Sequence, residues 1–88
     1  MKQIQSHAIY PNQAQPPIQF NPFTDDVLGL VGDEQNNMMK VFVAVEPGSH
    51  VNCEFLTRQE FANPPDDGKF MGMTMLGGYA WFLYVRVQ

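Results

Sequence analysis

The 88 residues suffice for one folding unit, because a chain this short has no room for two hydrophobic cores. Apolar residues make up 44% and charged residues 16%, a balance that excludes intrinsic disorder. The net charge is −4, and the five basic residues (Lys2, Lys40, Arg58, Lys69, Arg86) stand apart from one another, which argues against a nucleic-acid surface built on clustered cations.

At the N-terminus, Met1-Lys2-Gln3-Ile4-Gln5-Ser6-His7 contains no apolar run of the kind a secretory signal needs. Residues Lys2–Tyr10 read as a first strand. Residues 11–23 form a connection rich in Pro, Gln and Asn. Pro11, Pro16, Pro17 and Pro22 exclude a helix or a central strand there. Ile18, Phe20 and Phe23 are expected to pin this connection to the surface, and Pro16-Pro17 is too short for a polyproline recognition motif.

Val27, Leu28, Leu30 and Val31 form the next apolar run, with Gly29 inside it as an expected bulge or close-packing point. Asn36-Asn37 marks a turn into Met38–Glu46, since Asn tolerates the left-handed conformation. In that segment Met39, Val41, Val43 and Val45 alternate with Lys40, Phe42, Ala44 and Glu46, so both faces are apolar enough for a central strand. Pro47-Gly48 marks another turn. Val51, Cys53, Phe55 and Thr57 then alternate with Asn52, Glu54, Leu56 and Arg58, the pattern of a half-buried strand.

Thr57-Arg58-Gln59-Glu60 has the spacing of a helix capping box, stopped by Pro64, and allows one or two helical turns at most. Phe70–Leu76 and Tyr79–Val87 are joined by Gly77-Gly78, a two-residue hairpin signal. The nearly apolar stretch Tyr79–Val85 is far shorter than the roughly 20 residues of a membrane-spanning helix.

The short connections predict antiparallel pairing between consecutive strands. The fold expected is all-β: one domain over residues 1–88, a small antiparallel β-sandwich or curled β-barrel of six to seven strands. Phe42, Val43, Phe55, Trp81 and Leu83 are the expected core. The single cysteine, Cys53, has no partner for a disulfide within the chain. With no apolar leader, this predicts a soluble chain in a reducing cytoplasm.

The order of these pieces resembles a family of small uncharacterised bacteriophage proteins, a domain of unknown function. The residues that carry the likeness are Met1-Lys2-Gln3-Ile4, Val27-Leu28-Gly29-Leu30-Val31, Phe42-Val43-Ala44-Val45-Glu46-Pro47, Phe70-Met71-Gly72-Met73 and Gly77-Gly78-Tyr79-Ala80-Trp81. The likeness covers most of the chain and departs at Met73, where the family pattern has Thr. It implies a phage origin and a strand-rich fold, and it brings no catalytic residue to this chain.

The residues themselves offer little catalytic chemistry. Ser6, Ser49 and Cys53 are the candidate nucleophiles, and His7 and His50 the candidate bases. Adjacent Ser49 and His50 diverge in a strand or turn and do not pair. Cys53 shares a strand face with Val51 and Phe55, where a free thiol behaves as a small hydrophobe. Two histidines fall short of the three ligands a metal site needs, and Asp25-Asp26 and Asp66-Asp67-Gly68 read as turn formers. Neither a catalytic residue, a metal ligand nor a cofactor is expected.

The least ordinary feature is methionine, at six residues in the chain. Met71, Met73 and Met75 alternate on one strand. If Phe70 and Leu76 point into the core, the three thioethers point out as an adaptable strip suited to recognition. They are the candidate interface, for a protein partner or for self-association. The function expected is that of a small non-enzymatic phage protein that binds a host or phage protein in the host cytoplasm, inhibition of a host defence being one form. The alternatives are a virion decoration or connector protein, or a small-ligand or nucleotide binder using Arg58, Lys69 and Arg86.

Overall fold

The structure, a computed structural model, describes residues 1–15, 18–48 and 51–88. Seven strands account for its regular elements: β1 (Gln3–Ile9), β2 (Ile18–Gln19), β3 (Asp26–Asp33), β4 (Met38–Val45), β5 (Asn52–Gln59), β6 (Lys69–Leu76) and β7 (Tyr79–Val87). They form two antiparallel sheets, one in the order β1-β4-β3 and the other in the order β2-β5-β7-β6. The sheets stack as a sandwich and do not close into a barrel. Thr57–Glu60 forms no helical turn: β5 runs to Gln59, and a turn follows.

Both hairpins read from the sequence are present. Gly77 and Gly78 have φ of +62° and +82°, the conformation of a type I′ turn, and join β6 to β7. The β3–β4 turn spans Glu34–Asn37, with Asn37 left-handed at φ 50°. Asp33 steadies it by accepting hydrogen bonds from the Asn36 amide and side chain. These bonds hold the Asp33 carboxyl below its ordinary pKa.

The expectation that consecutive strands pair antiparallel holds only at β3–β4 and β6–β7: β1 and β2, β2 and β3, and β4 and β5 lie in different sheets, and β7 stands between β5 and β6. After Pro47-Gly48 the chain crosses from one sheet to the other, and β4 pairs with β1 and β3 instead. Ser49 and His50 lie outside the described residues. The physical reason is burial. Val41, Val43 and Val45 on β4 and Cys53 and Phe55 on β5 are all buried, and each apolar face finds cover on the opposite sheet.

The core contains Ile9, Phe20, Met39, Val41, Val43, Val45, Cys53, Phe55, Leu76, Trp81, Leu83 and Val85. Of the expected core residues, Val43, Phe55, Trp81 and Leu83 belong to it. Phe42 does not. It has the opposite parity to Val41 and Val43, so the pleat turns it to the half-buried outer face. In the Pro-rich connection, Phe20 is buried and Ile18 packs on the core, but Phe23 is exposed. Pro16 and Pro17 lie outside the described residues.

The strands β3 and β6 pack against each other at one side of the sandwich. Gly32 makes that approach possible, because a Cβ there would sit 2.3 Å from the Met75 carbonyl oxygen. The two roles expected of Gly29 are therefore divided. The bulge falls between Val27 and Gly29, whereas the close-packing glycine is Gly32.

Candidate interaction surface

The outer face of the four-stranded sheet is built in rows across β5, β7 and β6. Register places Leu56, Tyr84 and Phe70 in one row and Arg58, Phe82 and Met73 in the next. Glu60, Ala80 and Met75 make a third: the Glu60 amide donates to the Ala80 carbonyl, and the Glu60 side chain accepts from the Ala80 amide at 2.9 Å. Phe70 meets the Tyr84 ring edge-on at a centroid distance of 5.7 Å and lies 6.4 Å from Phe82.

The three methionines do not share a face. A bulge between Phe70 and Gly72 adds a residue to β6 and breaks the alternation there. Met71 turns inward and packs on the core, while Gly72, at φ +155°, stands beside Leu30 of β3. Phe70, expected inside with Leu76, is on the outer face, and Leu76 is buried. The exposed strip is therefore Phe70, Met73 and Met75, at 54%, 46% and 55% exposure.

Phe61 extends this surface. It follows β5 in the turn Gln59–Ala62, closed by a 3.0 Å bond from the Ala62 amide to the Gln59 carbonyl. Its φ is +74° and it is 98% exposed. A bulky residue at positive φ is strained, and such strain concentrates at functional positions. Phe61 lines a hollow of about 220 Å³ together with Arg58, Pro64, Phe82 and Tyr84, which joins it to the aromatic rows. No single local pattern in the sequence marks Phe61. The available signal was an aromatic at a chain reversal, between Glu60 and Pro64, where a small polar residue is usual.

Next to these rows, Arg58 and Arg86 line a broad open concavity of about 780 Å³ with the loop 62–67. Arg86 is ion-paired to Glu54 and, at 3.2 Å, to Asp67. Both carboxylates favour its charged form and raise its pKa. The Arg58 guanidinium donates to the Thr57 carbonyl. Lys69 shares a second hollow of about 260 Å³ with Arg86 and donates to the Pro22 carbonyl at 2.7 Å, so Arg86 borders both hollows but Arg58 and Lys69 do not meet in either.

The remaining reactive side chains are dispersed. Cys53 is buried, its thiol donating to the Phe20 carbonyl, and burial pushes its pKa up. His7 projects from β1 onto Phe55, edge-on at 5.9 Å, and burial lowers its pKa. Ser6 is exposed on the opposite face of the same strand. Asp25 is a turn former as expected: it accepts from the Asn21 and Glu46 amides at 2.9 and 3.1 Å. Asp66 and Asp67 also lie in a turn, and the Asp67 carboxylate pairs with Arg86. Among the described residues, no group of three His, Cys, Asp or Glu side chains is placed to hold a metal ion. No helix there is long and apolar enough to cross a membrane.

Comparison with protein-family models, with curated proteins and with solved structures returned no match.

Proposed function

We propose that this chain is a small binding protein that engages a protein partner through the outer face of its four-stranded sheet, and that it acts by binding and not by catalysis. One observation carries the reading: Phe70, Met73 and Met75 stand exposed beside half-buried Phe82 and Tyr84, with no element among the described residues covering them. With Phe61 they offer roughly 500 Å² of apolar side chain, near the upper end of the largest patch on a typical monomer. Aromatic residues, methionine and arginine are the types enriched where proteins meet, and Arg58 completes that set here. The strained Phe61 supports the same use. The dispersal of Ser6, His7 and Cys53 supports binding over catalysis. The resemblance to phage proteins favours a host or phage protein as the partner, met in the host cytoplasm.

The test is capture of a partner from host lysate by the wild-type chain and by two variants, Met73→Lys with Met75→Lys, and Phe61→Asp. All three chains are expected to melt alike, because the altered side chains are exposed. The wild type retains a partner at micromolar concentration and both variants release it. A partner held equally by all three would put the contact on another surface. No partner at that concentration would count against the reading altogether.

A further inference from the structure

The four sheet edges are treated differently by this fold. On one side of the sandwich, β3 and β6 each carry a bulge and pack against each other. On the other side, β2 is only two residues long, and β5 beyond it carries Glu54 and Arg58 and receives the Asn12 amide at Thr57 Oγ1. Short strands, bulges, charges and covering segments are the ordinary ways in which an edge is kept from pairing with another chain.

Among the described residues, the remaining edge, β1, has none of these. Gln3–Ile9 contains neither a charged residue nor proline, and its register with β4 is unbroken over all seven positions. It is the outer strand of its sheet. Gln3, Ile4, Gln5 and Ser6 are all exposed. Of the two charges that precede it, the Met1 ammonium pairs with Glu46, and Lys2 is directed across the sheet. Its ammonium donates to Asp26 of β3 at 2.9 Å and to the Thr24 carbonyl at 2.8 Å.

We propose that two copies of this chain pair antiparallel along β1, about a two-fold axis at Ser6, so that their three-stranded sheets become one continuous six-stranded sheet. The composition of the strand favours a second copy as the occupant. In a two-fold pair each residue meets a residue of the same strand, and a neutral strand meets no like charge. Centred on Ser6, Ile4 lies opposite Ala8 of the second copy on the outer face, and Gln5 lies opposite its His7 on the inner face. This register keeps inner face with inner face, and its overlap uses the whole of Gln3–Ile9. Such an interface is isologous and closed, so it gives dimers and not fibres. The Phe70–Met73–Met75 face lies on the other sheet and remains free in each copy.

Sedimentation of the wild-type chain at micromolar concentration is expected to give twice the mass of one chain. Ser6→Lys places two ammonium groups face to face on the axis and is expected to give a single chain that still melts cooperatively, at a temperature that no longer depends on concentration. Oxidation of Ser6→Cys is expected to give a covalent dimer on a non-reducing gel, and oxidation of Met75→Cys is not. The cysteine variants decide even if Ser6→Lys fails to fold. A wild-type monomer, or a dimer that Met73→Lys with Met75→Lys disrupts and Ser6→Lys does not, would overturn the proposal.

Discussion

The two hairpins β3–β4 and β6–β7 use the same parts with opposite results. Each pairs an eight-residue edge strand with a central strand, and each edge strand has one bulge. Their tips are tied together, the Glu34 carboxylate accepting the Gly77 amide at 2.9 and 3.0 Å. The β3 bulge leaves Leu28 exposed, whereas the β6 bulge turns Met71 into the core. The outer faces differ too. That of β3–β4 mixes Lys40, Asp26 and Asp33 with Phe42 and Ala44, and Lys2 binds across it. That of β6–β7 runs from Met75 through Phe82 to Phe70 with no charge of its own until Arg86. A bulge therefore does more than bend a strand. It selects which neighbour on the strand becomes core and which becomes surface.

The largest expected effect breaks the contact between the hairpins. Gly32→Ala would drive a Cβ into the Met75 carbonyl, and backbone gives way poorly, so a loss of about 1–3 kcal/mol is expected in denaturant melts. Gly29→Ala, three residues away with open space around it, should stay within about 0.5 kcal/mol of wild type. Equal losses at both positions would mean that β3 and β6 are not in close contact.

The bulge in β6 is sharpened by a second pair. Met71→Ala removes a side chain packed on the core and should cost about 2 kcal/mol, while Met73→Ala should cost less than about 0.5 kcal/mol. Equal costs at the two positions would restore the unbroken alternation read from the sequence, which puts both methionines on one face.

The smallest effects lie in the turns. Gly77→Val forces a β-branched residue to positive φ and should cost roughly 1 kcal/mol. Asn37→Gly in the other hairpin relieves a left-handed non-glycine and should change stability by under about 0.5 kcal/mol. An unchanged melting temperature for Gly77→Val would assign that turn to another type.

Much of the architecture was legible because it is local. The alternation in Met39–Val45 and in Tyr79–Val87, the Gly77-Gly78 turn and the Asn36-Asn37 turn are set by neighbours in the chain, and all four appear where the residues put them. The candidate surface was half legible. Met73 and Met75 are exposed, but Met71 and Phe70 exchange sides at a bulge whose one mark in the β6 pattern is Gly72, a signal of the same kind as Gly29 in β3. Phe61 offered only the weak signal of an aromatic at a chain reversal, and its exposure depends on how β5 leaves the sheet.

By itself the sequence determined that the chain is all-β, which segments other than Ile18–Gln19 are strands, and which turns join β3 to β4 and β6 to β7. Period-two burial and left-handed turn residues are properties of a few consecutive positions. Only the tertiary structure decided that β4 and β5 belong to different sheets, that β1 joins β4 as the outer strand of its sheet, and that Phe70 faces out. Each of these depends on which distant apolar face covers another, and that competition is resolved only when both sheets are assembled around one core.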